Sequence, residues 1–233
     1  MFSNLVSGME VANSSLLDEA TAACEAVALM YNVAKEKRKT ILVDEKCHPQ
    51  SIACMKTRGH FLNLNFIVCS KDDMMTLADK TVAGVVLQYP DTEGTIVNIE
   101  GLTTKVHSEG ALVAVGTDLL ALTLIKSPGD IGADVAFGSA QRLGIPMLLG
   151  GPSAAFFSTK QKYQRLVPGR IVGVSIDSSG QKALRLSLQA REQHIRREKA
   201  TSNVCTAQAL LANASAMWGV YHGPNGVTEV NFI

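Results

Sequence analysis

The run Val82–Gln88 constrains the fold of this chain more than any other segment. It reads Val-Ala-Gly-Val-Val-Leu-Gln, so a strand formed from it carries apolar side chains on both of its faces. A strand of that kind has to be covered on both sides, which is typical of the centre of a parallel sheet. Parallel strands need crossover connections, and these are usually helices. We therefore predict an α/β fold, with a mostly parallel sheet and helices on both of its faces.

Short apolar strands and helical patterns alternate along most of the chain. The segment from Ser15 to Asp18 resembles a capping box, and apolar residues follow it at spacings of three and four, which predicts a helix to about Lys37. A hairpin is predicted by two strand-like runs that flank the turn Asp-Ser-Ser-Gly, at residues 170–176 and 183–189. The other predicted helices cover 48–59, 99–109 and 204–221, with a turn or short helix at 118–122, and the other predicted strands cover 40–44, 63–69, 82–88, 111–115 and 134–137.

Candidate site residues should directly follow the strands, because sheets of this kind bind ligands at the carboxyl ends of their strands. This places residues 44–48, 88–93, 116–118 and 138–142 on one rim. His48 stands where a strand meets a helix, where it could stack on a flat ligand, act as an acid or base, or be structural. Gly150 and Gly151 either allow close backbone approach to a ligand or another chain, or form a tight turn.

Composition excludes several function classes. The chain has 22 basic and 21 acidic residues, a balance that argues against a general nucleic-acid binder. There is no run of 18 apolar residues, so we expect no membrane span. The five cysteines form no C-x-x-C pair, which argues against a disulfide framework or a zinc site and favours a reducing compartment. Signal-peptide and transit-peptide patterns are absent from the first residues, and dinucleotide, P-loop, nucleophile-elbow and H-E-x-x-H motifs do not occur.

Positive charge is concentrated towards the C-terminus. Residues 160–233 carry 10 basic and four acidic side chains, against 12 and 17 in residues 1–159. Arginine pairs well with carboxylates and phosphates, so the segment Arg191–Lys199 predicts either an interface with an acidic partner or an anion-binding site. A solvated charged helix is the alternative. The interface candidates are Arg191, His194, Arg196 and Arg197.

Seven stretches of the sequence resemble one known family, the glycine decarboxylase P-protein of the glycine cleavage system. They follow each other in the family's order over nearly the whole chain, at residues 12–21, 47–50, 88–94, 139–146, 150–157, 168–173 and 191–213. The resemblance implies the large domain of a fold-type-I pyridoxal-phosphate (PLP) enzyme, with a mostly parallel seven-stranded sheet. It also implies a reaction in which glycine loses CO2 and its aminomethyl group passes to the lipoyl arm of the H-protein, with PLP as the electron sink.

The P-protein family has two similar halves, and this sequence resembles the N-terminal half, which lacks the cofactor lysine. Compared with the catalytic half, Gln141 falls on the Schiff-base lysine and Val115 falls on the acid that pairs with the pyridine nitrogen. The phosphate loop S-G-A-Q-G is replaced by Ser14–Asp18, and only His48 keeps its residue type, where the catalytic half stacks a His on the ring. The resemblance therefore implies that this chain does not bind PLP covalently.

The resemblance sets the remaining expectations. Residues 1–233 should form one PLP-transferase-like large domain, a fragment without the family's N-terminal segment and small C-terminal domain. The chain would be inactive alone and would support the PLP-bearing half, with the H-protein as a further partner and a dimer as the intact assembly. The location would be the mitochondrial matrix in a eukaryote and the cytoplasm in a bacterium. The alternatives are an inactive anion-binding or scaffold module, or an independent PLP enzyme that uses Lys160 or Lys56.

Overall fold

A seven-stranded mixed sheet forms the centre of the molecule in the computed structural model, which describes residues 6–189, 193–200, 202, 204 and 207–231. The strand order is β1-β7-β6-β5-β4-β2-β3. Strands β2 to β6 are mutually parallel where they pair, whereas β7 is antiparallel to both β6 and β1. The strands are β1 Val11–Ala12, β2 Thr40–Asp44, β3 Asn65–Cys69, β4 Val82–Gln88, β5 Leu112–Gly116, β6 Val135–Ser139 and β7 Ala155–Thr159.

Helices connect the parallel strands and cover the sheet. They are α1 Glu19–Val33, α2 Pro49–His60, α3 Lys71–Leu77, α4 Glu100–Ser108, α5 Pro128–Ile131, α6 Gln193–Arg196 and α7 Ala209–Asn231. Short 3-10 turns occupy Ala121–Thr123, Gln161–Leu166 and Arg197–Lys199. None of these helices is long and apolar enough to cross a membrane, judged over the described residues.

Strand β4 lies inside the sheet, between β2 and β5, and all seven of its residues are buried. Its side chains enter two separate cores. Val85 and Leu87 pack in the core that includes Leu102 and Val106 of α4, while Ala83 and Val86 pack in the core that contains α1. The prediction of a mostly parallel sheet with helices on both faces is confirmed.

Several predicted boundaries differ from those observed at the first helices. Helix α1 begins at Glu19 rather than near Ser15, because Asp18 is its N-cap and accepts a hydrogen bond from the Thr21 N–H at 2.7 Å. The helix ends at Val33, and residues 35 and 36 then adopt positive φ values of 52° and 60°. Gly59 does not cap α2 but lies inside it, where its missing side chain makes room for the ring of Phe66.

Strands β1 and β7 and helices α3 and α5 were not predicted from the sequence, and the last helix has other bounds than predicted. Strand β7 is buried throughout, and it begins in the stretch that follows Gly150 and Gly151, for which close backbone approach or a tight turn was predicted but no strand. Helix α7 begins at Ala209 rather than Val204 and runs on to Asn231. It bends at Gly223, whose φ is 65°, directly before Pro224, since proline disrupts the hydrogen bonding of a continuous helix.

The predicted hairpin is confirmed as a separate two-stranded antiparallel sheet of β8, Arg170–Ile176, and β9, Lys182–Gln189. Val172 faces Leu186 across the hairpin, and Val174 faces Leu184, so these side chains share one face. We call this the hairpin apolar face, and its members are between 50% and 76% exposed: Val172, Val174, Ile176, Leu184 and Leu186.

Candidate functional site

The carboxyl ends of the parallel strands meet along one edge, which we call the carboxyl rim. Backbone hydrogen bonds join the segments that follow neighbouring strands: the Tyr89 N–H donates to the Gly116 carbonyl at 2.8 Å, and the Thr117 N–H to that of Phe137 at 2.8 Å. An ion pair between Asp118 and Arg142 links the β5 end to the segment after β6. The sequence-based expectation that residues 44–48, 88–93, 116–118 and 138–142 share one rim is confirmed.

His48 is the N-cap residue of α2 and lies on this rim, as predicted. Its Nδ1 is 2.7 Å from Thr92 Oγ1, and the Thr92 N–H donates to the Lys46 carbonyl at 3.0 Å. Partial burial lowers the pKa of the imidazole. The chain therefore fixes the orientation of this ring through a residue from the β4 end, but its role stays a prediction.

Glu19 is the rim residue that sequence reasoning missed. It is the first residue of α1, its side chain is only 21% exposed, and its Oε1 lies 3.8 Å from His48 Nε2. Burial raises the pKa of this carboxyl to about 7, with the Gln88 side chain acting in the opposite direction as a hydrogen-bond partner and the charge of Asp118 adding to the rise. Glu19 Oε1 is buried and has no hydrogen-bond partner among the described residues. An acidic residue in the first turn of a helix is ordinary, so no sequence signal distinguishes it.

The segment that stands in place of the phosphate loop uses its own hydrogen-bond donors within the chain. The Ser14 N–H and hydroxyl both donate to the Arg170 carbonyl, at 2.8 and 3.1 Å, and the Leu16 N–H donates to the Ala155 carbonyl at 2.9 Å. The carboxylate of Asp18 occupies the N-terminus of α1 through the Thr21 N–H. A phosphate would find these donors engaged and a carboxylate beside it.

Gln141 lies between β6 and β7, directly past the carboxyl end of β6. Its N–H donates to Ser139 Oγ at 3.1 Å, and its Nε2 is 3.2 Å from Met147 Sδ. Val115 lies within β5 and is fully buried. Neither side chain can form a Schiff base or hold a proton on a pyridine nitrogen.

Two described lysines lie close to the carboxyl rim, and each is paired with a carboxylate. Lys46 Nζ is 2.7 Å from Glu93 Oε2, and Lys71 Nζ is 2.5 Å from Asp44 Oδ2. The Glu93 partner raises the pKa of Lys46. A Schiff base forms from a neutral amine, so these pairs work against aldimine formation.

The two lysines considered for an independent PLP enzyme lie elsewhere. Lys56 is exposed in the middle of α2. Lys160 follows β7, which runs antiparallel to β6, and therefore lies at the opposite edge of the sheet. There its Nζ donates to Asp134 Oδ1 at 2.8 Å and to the Gly132 carbonyl at 3.0 Å.

A cleft of about 260 Å³ opens between the carboxyl rim, the hairpin and α7. Its lining has no ionisable side chain and consists of Ala12, Asn13, Ser14, Leu119, Ala140, Leu143, Ala154, Ala155, Phe156, Val172, Ala212, Ser215 and Ala216. Such a lining cannot balance a phosphate dianion. Taken with the engaged donors, the paired lysines and Gln141, the residues that the structure describes do not fit PLP. The part of the chain that the structure describes also holds no group of three His, Cys, Asp or Glu side chains suited to a metal ion.

The basic segment is described only in part. Arg191 lies outside the described residues, and His194 is described only as part of the backbone of α6. Arg196 and Arg197, where α6 meets the following 3-10 turn, are exposed, as is Ile195 between His194 and Arg196. Beyond them Ser202 is buried. Glu25 of α1 pairs with Arg58 Nη2 at 2.5 Å. The interface role of the segment stays a prediction.

Known proteins resemble this chain over almost its whole length. A family model described as the glycine cleavage system P-protein matches residues 1–232. The glycine dehydrogenase (decarboxylating) of Nostoc punctiforme is 54% identical over 97% of this chain and 23% of its own length. The mitochondrial enzyme of Flaveria anomala is 51% identical over 97% of this chain and 22% of its own length. The chain thus spans less than a quarter of these relatives.

Solved structures agree with the sequence comparison. A crystal structure of the glycine cleavage system's glycine decarboxylase (P-protein), in inhibitor-bound form, superimposes with a TM-score of 0.90 at 35% identity, over 97% of this chain and 52% of that one. A cysteine desulfurase of Thermococcus onnurineus NA1, with a TM-score of 0.64 at 16% identity over 97% of this chain and 56% of that one, shares the fold alone. The fold is that of the fold-type-I PLP-dependent enzymes, as predicted, and the chain belongs to the glycine cleavage system P-protein family.

Proposed function

We propose that this chain is the central part of the non-catalytic half of a glycine decarboxylase P-protein, where it supports the half that carries PLP. The observation that carries the proposal is the carboxyl rim: Gln141 stands beyond β6 where an aldimine would need an amine, and the nearby Lys46 and Lys71 are ion-paired. The activity of the intact protein would be glycine decarboxylation with aminomethyl transfer to the lipoyl H-protein. This chain alone would be inactive.

Exposed apolar surface supports a role next to a partner. The hairpin apolar face is open to solvent, and an isolated two-stranded hairpin has little stability of its own. Met147, Leu148 and Leu149 form a second exposed apolar stretch, next to Gly150. Exposed patches of this kind mark interaction sites, and the PLP-bearing half is the partner that the family supplies.

The basic segment supports the same partner. Arg196 and Arg197 are exposed and follow the hairpin in the chain, so an acidic surface of the catalytic half could pair with both. Replacing an arginine that is paired across an interface by Ala weakens association by about 2–5 kcal/mol. Replacing a solvated arginine by Ala changes the free energy of association by less than about 0.5 kcal/mol. We propose a dimer as the intact assembly, in the mitochondrial matrix of a eukaryote or in the cytoplasm of a bacterium. The name of the Flaveria relative describes that protein as mitochondrial.

The test is a binding titration between this chain and a separately produced catalytic half loaded with PLP. Arg196→Ala and Arg197→Ala should each weaken binding by about 2–5 kcal/mol. Lys56→Ala, which removes an exposed charge from the middle of α2, is the matched control and should change nothing. Unchanged binding by both arginine variants would refute the interface, and no binding by the unaltered chain would refute the supporting role.

A further inference from the structure

We propose that Glu19 is a ligand-excluding residue, whose side chain occupies the centre of the carboxyl rim and closes it to flat phosphorylated ligands such as PLP. The inference rests on the proposed function only in taking the carboxyl rim as the counterpart of the catalytic half's cofactor pocket. The chain thus not only lacks the Schiff-base lysine but also carries a side chain, that of Glu19, in the space where a ligand would lie.

Residues of three elements act on the side chain of Glu19. Its carboxyl approaches His48 at the start of α2, with 3.8 Å between Oε1 and Nε2. It also interacts with Gln88 at the end of β4 and with the charge of Asp118 just beyond β5. The crevice beyond the strand ends is where an α/β sheet receives its ligand, and here a side chain of the same chain lies in it.

The contact distance leaves no room for a ligand layer between the Glu19 carboxyl and the His48 imidazole. Atoms in van der Waals contact lie about 3.5–4 Å apart, so a ring held between His48 and Glu19 would require roughly twice that separation. Glu19 Oε1 already lies at a single contact distance from the imidazole. A ligand ring could enter between these two groups only if the Glu19 side chain moved away.

The charge of the site adds to the exclusion. The N-terminus of a helix favours anions, and α1 is long enough, at 15 residues, to provide such an end. Asp18 already places a carboxylate there, where it accepts the Thr21 N–H, and a phosphate ester would meet its like charge.

The experiment uses 4-deoxypyridoxine 5'-phosphate, which has the ring and phosphate of PLP but no aldehyde, so surface lysines cannot capture it. Calorimetric titration compares the unaltered chain, Glu19→Ala and the control Glu93→Ala, which removes a rim carboxylate that is 65% exposed. We expect Glu19→Ala to bind the analogue at least tenfold more tightly than the other two proteins. A folded Glu19→Ala protein that binds no better than Glu93→Ala would overturn the proposal, as would tight binding by the unaltered chain.

A second measurement needs no variant and covers the case in which Glu19→Ala does not fold. In the unaltered chain, a nuclear Overhauser effect is expected between the Glu19 side-chain methylene protons and an imidazole proton of His48. Its absence would remove the placement of Glu19 and with it the proposal. If the chain did not bind the catalytic half, the analogue titration and the nuclear Overhauser effect would be unaffected. The role of Glu19 and the proposed supporting function can therefore fail independently.

Discussion

Replacing Glu19 by glutamine should make the chain more stable at alkaline pH and leave it nearly unchanged at acid pH. The folded protein holds the pKa of Glu19 at about 7, against an ordinary value of 4.5, mainly because burial disfavours the charged carboxylate. A raised carboxyl pKa means that folding favours the protonated form. The resulting stabilisation is fully present below pH 4.5 and is lost as the pH rises through about 7.

The size of the effect follows from that pKa difference. Each pKa unit corresponds to 1.36 kcal/mol, so ionising Glu19 in the folded protein costs about 3 kcal/mol relative to ionising it in the unfolded chain. Glutamine has nearly the same shape and never ionises. We therefore expect Glu19→Gln to exceed the unaltered chain in free energy of unfolding by about 2–3 kcal/mol at pH 8.5, and by less than about 1 kcal/mol at pH 5.

Urea unfolding followed by far-ultraviolet circular dichroism at pH 5, 6, 7 and 8.5 measures this difference directly. Glu93→Gln serves as the control, because it removes a carboxylate from the same rim whose side chain is 65% exposed. A stability difference for Glu19→Gln that does not change with pH would refute the reasoning. So would a variant that is less stable than the unaltered chain at pH 8.5.

Three further predictions concern other parts of the molecule. Asp134→Asn should reduce the free energy of unfolding at pH 7 by about 3 kcal/mol, measured by urea titration, because it leaves the Lys160 ammonium and His107 without their buried partner; an equally stable variant would contradict this. Burial raises the pKa of Asp134, but hydrogen bonds from His107 and Lys160 outweigh it and lower that pKa below its ordinary value. The stabilisation that Asp134 provides should therefore fade as the pH falls below about 4. The isolated chain should self-associate through the hairpin apolar face, and the double variant Val174→Ser, Leu184→Ser should be more monomeric by light scattering; a monodisperse unaltered monomer would count against this. Incubation with PLP and borohydride should mark no single lysine, and a reducible adduct mapped to one position would show that an aldimine forms.

The sheet could be predicted because its strands carry a local signal. Val82–Gln88 is apolar at nearly every position, which is typical of the interior of a parallel sheet, so its bounds and its place away from the sheet edge could be predicted. Strand β7 has no such signal, because the glycines and proline before it indicate a turn. It becomes a strand only through pairing with β6 and β1, which no local pattern records.

In the candidate site, too, one residue could be predicted from the sequence and another could not. His48 could be placed on the carboxyl rim because it follows a strand directly, and a parallel topology then fixes the edge on which it lies. Glu19 could not, because its importance arises from contacts with His48, Gln88 and Asp118, which come from three distant segments. Burial at the meeting of several elements is a property of the packed molecule rather than of any stretch of sequence.

The two-residue strand β1 has a consequence for the order in which the chain folds. Val11 pairs with Thr159, and the Phe157 N–H donates to Asn13 Oδ1 at 3.2 Å, so the first strand depends on residues synthesised long after it. The parallel strands β2 to β6 lie between residues 40 and 139 and need nothing beyond them for their mutual pairing. On a ribosome, residues 11 and 12 therefore wait without their partner strand until β7 has emerged. This edge of the sheet closes after the parallel strands have been made, with a segment that precedes all of them in the chain.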